Sequence, residues 1–335
     1  MVYEDDGIFL GDYDSKLQYA INAELNIEDQ GHPADYVGVN IKKAKDGSYD
    51  YEFTRSTLID SFIEDVGLKD AKVKPVPAKV SQRLHAFKDE PPFDLEFNYR
   101  SAVGKLNYLA QTTRPDIMYA THQIAAKYSP DPRQSHGEAI LYVVRYLKNT
   151  HNIGLKFTPD PTKGFKCYCD SDFSGLWNKE FAPVDPSTAK SRSGWIIFDA
   201  GCPFSWASRL QSQVALSTTK AEYIAMSQAL RDIIPVMNLL QEMKEQEFQV
   251  ICNEPYAVYC KVFEDNSGAL DLARLPKLRP RTKHINVCYH CFHKHVRKGL
   301  IKIFPINMKD QIADVLTKPL AQNNFQCHRR SMCGK

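Results

Sequence analysis

Acidic residues fall at several places where local patterning predicts the end of a structural element. The stretch Lys166–Asp172 reads Lys-Cys-Tyr-Cys-Asp-Ser-Asp, a short alternating strand that stops on Asp170 and Asp172. Glu222 lies near the start of a predicted helix, Asp265 follows the run Ala257–Phe263, and Asp314 belongs to a late helical stretch. A strand that ends on a carboxylate offers it to something outside the sheet. Gathering carboxylates from distant segments is the usual work of a hard divalent cation, which prefers oxygen ligands. Each residue also has a plain structural explanation. Asp170 can end a strand as Asp often does in turns, Thr219–Glu222 fits a capping box, Asp265 can cap the helix after it, and Asp314 can be an exposed helix acid. Their joint order along the chain favours chemistry. Spacing leaves open whether Asp170 or Asp172 is the ligand.

The elements that must position these acids can be read on both sides of them. Phe165–Asp170 is a first strand, and Gly194–Phe198 with Phe204–Ser208 is a hairpin across Asp199–Gly201, with Val214–Leu216 able to pair beside it. Helices are predicted over Thr219–Leu230 and Val236–Met243, separated at Pro235. Ala257–Phe263 has the nearly continuous apolar pattern of a strand buried on both faces. A basic helix over Lys283–Lys298, a strand over Leu300–Ile306 and a helix over Asp310–Leu316 follow, and the tail after Leu320 is expected to be loose. Upstream, Val2–Leu10 reads as a hairpin with Asp5 and Asp6 at its tip. Ser15–Leu25 and Ser56–Val66 read as helices, with a hairpin across Asp46–Gly47 between them and Gly67 as a stop. Lys72–Pro92 is punctuated by prolines and reads as an extended linker that lets its flanks move independently. Arg100–Thr150 is helical by pattern, broken at Thr113–Pro115 with Asp116 opening the next helix. Arg114, Arg145 and Lys148 read there as exposed solubilising cations that can also meet a phosphate backbone.

The chain of 335 residues is long enough for two or three domains. Lys+Arg 43 against Asp+Glu 40 leaves a net charge of +3, so bulk charge does not announce a partner. Its distribution does: no acid lies between Asp271 and Asp310, whereas Arg279, Arg281, Lys283, Arg297 and Lys298 all do. That stripe suits a sequence-independent grip on phosphate, with His284 as a further contact. Nine cysteines without a regular framework and the acidic residues after Met1 point to an intracellular, cytoplasmic or nuclear setting and not to secretion. No apolar run approaches the roughly 20 residues of a membrane span. Cys288 and Cys291, with His290, His293 and His295 nearby, lack a second clean ligand pair, and no zinc is expected.

Ser217–Tyr223 (Ser-Thr-Thr-Lys-Ala-Glu-Tyr), Glu264–Ser267 (Glu-Asp-Asn-Ser) and Ile312–Leu320 resemble the ribonuclease H region of copia-type retrotransposon Pol polyproteins. Thr112–Ile117 and Val144–Lys148 resemble the thumb and connection region of the same polyproteins, and Tyr3–Asp6 resembles the Tyr-x-Asp-Asp hairpin of reverse transcriptases, with Glu4 at a usually apolar position. The resemblance implies an α/β fold: a ribonuclease H-like mixed five-stranded sheet flanked by helices, preceded by a truncated reverse-transcriptase palm remnant and a helical connection region. It divides the chain into the palm remnant (1–71), linker (72–98), connection helices (99–158), ribonuclease H-like domain (159–320) and tail (321–335). The implied activity is cleavage of the RNA strand of RNA–DNA hybrids, with two Mg²⁺ or Mn²⁺ held by Asp170, Glu222, Asp265 and Asp314. By the same resemblance Asp170 is shared by both ions, Glu222 and Asp265 hold one, and Asp314 the other. A hybrid and the rest of the polyprotein are the implied partners, and oligomeric state is open. Tyr3, Asp5 and Asp6 are implied to be vestigial: the upstream palm carboxylate lies outside these residues, so polymerase activity is not expected. The rival expectation is a non-catalytic remnant or hybrid-binding module that keeps the fold.

Overall fold

The computed structural model describes residues 2–3, 6–7, 34–43, 50–86, 89–180, 182–246, 258–274 and 287–334. β1 (Val2–Tyr3) and β2 (Asp6–Gly7) pair antiparallel with Tyr3 opposite Asp6, while Asp5 and the helix expected over 15–25 lie outside the described residues. β3 (Asp35–Tyr36), β4 (Val39–Lys43) and β5 (Tyr51–Thr54) form an antiparallel sheet whose fourth strand, β6 (Leu155–Phe157), comes from far downstream. α1 (Ser56–Asp65) buries Ile59, Phe62 and Ile63 at helical spacing and is followed by Gly67 at φ 68°, a conformation that favours glycine.

α2 (Tyr99–Thr112), α3 (Met118–Tyr128) and α4 (Gln134–Asn149) enclose a core in which Leu106, Leu109, Ile140, Val144 and Leu147 are fully buried. The described residues of the proline-rich segment before them form no helix and only an isolated bridge at Pro92, with bends and turns along the way, but the segment is pinned. Lys74 N donates to the Arg145 carbonyl (3.2 Å), the Tyr128 hydroxyl donates to the Leu84 carbonyl (2.8 Å), and Val76 and Leu84 are buried against the helices. Backbone groups without a sheet or helix of their own are satisfied this way, so the segment is not a free linker. Arg114 is likewise no phosphate contact. It is fully buried, donating to Asp116 through Nε (2.9 Å) and Nη2 (2.8 Å) and to the Thr150 carbonyl through Nη1 (3.1 Å). Asp116, expected to open a helix, instead serves this guanidinium and also accepts the Tyr146 hydroxyl. Burial would raise the Asp116 carboxyl, but Arg114 outweighs it and holds it below the usual carboxylate range. Lys148 turns inward too, donating to the carbonyls of Lys69 (2.5 Å) and Ala71 (2.9 Å).

The larger sheet contains β7 (Phe165–Asp172), β8 (Arg192–Asp199), β9 (Cys202–Leu210), β10 (Cys260–Glu264) and β11 (Ile301–Pro305) in the order β11-β10-β7-β8-β9. β7, β8 and β9 are antiparallel neighbours, and β10 runs parallel to both β7 and β11. This is the ribonuclease H-like mixed sheet flanked by helices. α5 (Thr218–Glu245) packs on the face carrying Cys167, Cys169, Trp195 and Val262, joined by α6 (Ser267–Arg274) and α7 (His293–Arg297). α8 (Asp314–Thr317), α9 (Gln322–Cys333) and the connection helices pack on the face carrying Ile196 and Phe198.

Several expectations need correction. The two helices expected around Pro235 are one: Pro235 sits inside α5 on its exposed side, where water can take the hydrogen bond that proline forgoes. Val214–Leu216 is not a strand, and Leu216 is 79% exposed. β10 alternates buried and half-buried residues, so among the described residues only one of its faces is fully covered. Of the basic helix, 283–286 lie outside the described residues, and the rest is a short 3₁₀ turn (Val287–His290) followed by α7. The tail expected to be loose is α9, anchored because Phe325, Met332 and Cys333 fall on one helical stripe and are buried.

Replacing Arg114 with Ala leaves Asp116 buried and unpaired, which is expected to cost about 3–5 kcal/mol of stability in chemical denaturation. The double variant Arg114→Met/Asp116→Leu is expected to recover much of that loss. An Arg114→Ala protein as stable as the parent would show that the pair does not hold this region.

Candidate metal centre

Asp170 lies near the end of β7, is 2% exposed, and faces Gly194 across the ladder to β8. A Cβ on Gly194 would meet Thr317 Cγ2 at 2.6 Å and Leu316 Cβ at 2.8 Å, so glycine is what lets α8 approach the strand beside Asp170. Because β10 runs parallel to β7, its end delivers Asp265 to the same edge. The start of α5 supplies Glu222. Ser217 caps that helix, its hydroxyl accepting from Lys220 N at 3.2 Å, so Glu222 sits a turn beyond the cap and completes no capping box. Gln211 Nε2 fastens the helix start to the sheet, donating to the Ala221 carbonyl (2.8 Å) and Ser193 Oγ (3.0 Å). One carboxylate oxygen from each of Asp170, Glu222 and Asp265 lies within 4.8 Å of the others.

Asp314 opens α8 outside that trio and is buried, not the exposed helix acid that its position allows. Lys318 connects the two: its ammonium is 2.8 Å from Asp314 Oδ1 and 4.0 Å from Asp170 Oδ2. Thr317 donates its hydroxyl to Asp170 and so fixes that carboxylate's orientation. Asp265 is also no helix cap, since Asn266 Oδ1 accepts from Ala269 N at 3.0 Å.

Electrostatics follow from this crowding. Burial, and then Asp170, Glu264 and Asp265, push the Glu222 carboxyl well above the usual range. Asp265 is raised by burial and by Asp170, and Asp314 is pushed up to about 7 by burial and by Asp170 despite Lys318. Burial alone would depress the Lys318 ammonium, but Asp170 and Asp314 outweigh it and raise it. Asp172, the alternative within the motif, is raised by burial and stands among Lys318, Arg192 and Arg83, outside the trio.

The remaining sequence candidates are scattered. Arg297 and Lys298 are exposed at the end of α7, whereas Arg279, Arg281, Lys283 and His284 lie outside the described residues. Tyr3 and Asp6 belong to the separate N-terminal hairpin. His290 Nδ1 and His293 Nε2 both meet the Tyr223 hydroxyl, at 2.6 and 2.8 Å. Three residues of the site were not singled out by sequence reasoning. Thr317 and Lys318 stand three and four residues after Asp314, the spacing that places side chains on one helical face. Glu264 precedes Asp265 and, by strand alternation, points to the buried side. There Oε1 accepts from Asn266 N (3.1 Å), Oε2 meets Cys169 Sγ (3.6 Å), and burial pushes its pKa up to about 8.

The donor set fits a hard divalent cation. It is all carboxylate oxygen, and Glu222 Oε2 is buried without a hydrogen-bond partner. In metal-free protein this crowding has a pH signature. Groups raised above their unfolded values stabilise the fold at low pH, and that contribution is lost as pH rises through the folded pKa. With Asp314 at about 7 and Glu264 at about 8, the midpoint of thermal unfolding in EDTA is expected to fall between roughly pH 5 and pH 8. Glu222→Gln removes one repelling charge and is expected to raise the midpoint at pH 8 by about 2–4 °C, the shift roughly 1 kcal/mol produces in a domain of this kind. A pH-independent midpoint, or one lowered by Glu222→Gln, would contradict this electrostatic picture.

No protein-family model matches the chain. It is 31% identical over 336 residues to the retrovirus-related Pol polyprotein from transposon TNT 1-94 of Nicotiana tabacum, covering 97% of this chain and 24% of the relative. It is 29% identical over 335 residues to that from transposon RE2 of Arabidopsis thaliana, covering 99% of this chain and 21% of the relative. The chain thus spans between a fifth and a quarter of the length of these curated relatives. Among solved structures, a ribonuclease H1 isolated from compost is 16% identical, covering 46% of this chain and 92% of that one with a TM-score of 0.32. The N-terminal ribonuclease H domain of a Mycobacterium tuberculosis protein is 11% identical and covers 50% and 97%, with a TM-score of 0.30. At these scores the likeness adds nothing to the strand order described above. Along nearly its whole length the chain is similar to part of the retrovirus-related Pol polyproteins of plant transposons, which supports a retrotransposon Pol origin.

Proposed function

We propose that this chain is the ribonuclease H end of a copia-type Pol polyprotein and cuts the RNA strand of RNA–DNA hybrids. The observation that carries the reading is the convergence of Asp170, Glu222 and Asp265 within 4.8 Å from β7, the start of α5 and the end of β10. Two Mg²⁺ or Mn²⁺ ions held by these residues and Asp314 would supply an activated water and a stabilised leaving oxygen for phosphodiester hydrolysis. The protein's own part is positional. Thr317 orients Asp170, Lys318 offsets the charge of Asp170 and Asp314, and the glycine at 194 keeps α8 against the strand.

The hybrid is gripped through its backbone, with Arg279, Arg281, Lys283, His284, Arg297 and Lys298 as the phosphate contacts. Polymerase activity is not part of the proposal, and Tyr3, Asp5 and Asp6 are assigned to a hairpin of the reverse-transcriptase kind that their motif resembles. The division into palm remnant, connection helices and ribonuclease H-like domain follows the same reading, with the rest of the Pol polyprotein as partner. An intracellular setting accompanies it; among the described residues no helix is long and apolar enough to cross a membrane. One observation favours a second reading, a non-catalytic remnant that keeps the fold. The Lys318 ammonium sits 2.8 Å from Asp314 and can offset that acid in place of a metal ion.

Cleavage of a labelled hybrid in Mg²⁺ and in Mn²⁺ separates the readings. Asp170→Asn is expected to lower the rate by more than about a hundredfold, beyond the 10–100-fold typical of residues that only support a ligand. Asp172→Asn is expected to be much milder, and both variants are to be checked for a cooperative thermal transition before their rates are compared. An Asp170→Asn protein that cuts like the parent would sink the assignment of the site, and a parent that does not cut would favour the remnant.

A further inference from the structure

The half-covered strand β10 leads to a surface separate from the carboxylates. The described helices that pack on β10 and β11, α6 and α7, meet the side carrying Cys260, Val262, Ile301 and Ile303. On the opposite side the register aligns two rows across three strands. Lys166, Lys261 and Lys302 stand abreast, and Tyr168, Phe263 and Phe304 form the next row. All are half-buried except Phe304, at the sheet edge, which is 37% exposed.

The aromatic row is a stack. Tyr168 and Phe263 lie 4.8 Å apart and 17° from parallel, and Phe304 continues the series 6.0 Å from Phe263 at 32°. Its inner end is closed by Phe198, edge-on to Tyr168, so the series can be extended only beyond Phe304. The lysine row carries like charge on neighbouring strands about 5 Å apart. Lys166 is pushed below the usual lysine range by burial and by Lys261 and Lys163. A row that repels itself beside an open-ended aromatic stack matches a partner with both anionic groups and flat faces.

We propose that this face is a platform for single-stranded nucleic acid, with an unpaired base stacked on Phe304 and phosphates on Lys166, Lys261 and Lys302. A duplex hides its base faces, whereas unpaired bases stack on aromatic side chains regardless of sequence. Along β7 the rows at Lys166 and Tyr168 lead on to Asp170 on the same face, in steps of about 6.6 Å. The platform therefore leads a strand toward the carboxylates. It goes beyond the hydrolytic reading and does not depend on it.

The test is fluorescence anisotropy of a labelled oligo(dT) strand with increasing salt, on variants that unfold thermally like the parent. Phe304→Ala is expected to weaken binding about tenfold, within the range for losing one stacked base. Lys261→Ala/Lys302→Ala is expected to weaken it and to flatten the slope of log affinity against log salt by about 1.4, roughly 0.7 for each lost contact. Binding is read in EDTA, where no cleavage is needed, so a parent that binds oligo(dT) but does not cut a hybrid upholds the platform alone, and failure of hydrolysis and failure of the platform are distinguishable. The proposal is overturned if the parent does not bind oligo(dT), if Phe304→Ala and the double lysine variant both bind like the parent, or if a blunt duplex binds as tightly with the same dependence on Phe304.

Discussion

Like charges gathered at one sheet edge set the terms for the rest of this molecule. Two full negative charges 4.8 Å apart repel by roughly 3.5 kcal/mol at an effective dielectric of about 20. Three such groups cannot be held together by side-chain preference alone; the backbone must impose their approach. It does so through the parallel pairing of β7 with β10, which ends both strands at one edge, and through Gln211, which fastens the start of α5 to the sheet. Among the described residues Lys318 supplies the one positive charge paired with both Asp170 and Asp314. That single cation against several acids leaves the raised carboxyls of Glu222, Asp265 and Asp314 as the mark of incomplete neutralisation.

The frame stiffens from the opposite face. Trp206 Nε1 donates to the Ala110 carbonyl at 2.7 Å, and Arg192 Nη1 meets His122 Nδ1 at 2.9 Å, so the sheet is tied to the connection helices by polar bonds as well as by packing. Arg114 and Asp116 fasten the turn between α2 and α3 to the end of α4. α9 closes this side, with Phe325 edge-on to Tyr146 at 5.7 Å. The acids are thus supported by a second layer, and a residue as distant as Arg114 contributes to holding their scaffold.

Much of this was legible in the sequence because local signals and global fold agree. The β7 strand ending on acids, the hairpin of β8 and β9, the stop at Gly67 and the order of the acids all rest on patterns a few residues long. What was not legible depended on partners remote in the chain. Thr219–Glu222 satisfies the spacing of a capping box, yet the helix begins with Ser217, leaving Glu222 free to turn toward Asp170. Arg114 reads as a solvated cation until Thr150 and the turn at Pro115 enclose it. β10 reads as buried on both faces because Phe263 and Tyr259 are apolar. Lys261 in their midst was the discordant residue, and it marks the open side. Lys318 was in view but had no role until α8 brought it to Asp170.

The proposed chemistry requires the carboxylates to be a cation site, and isothermal titration of Mn²⁺ into the purified metal-free chain tests that most directly. Titrations near pH 7 in buffers of different ionisation enthalpy should show Mn²⁺ binding with release of protons, since carboxyls raised by crowding must lose them to become ligands. Asp170→Asn should lose most of that heat and of the proton release. No Mn²⁺ binding by the parent, or binding that is unchanged in Asp170→Asn and releases no protons, would contradict the account.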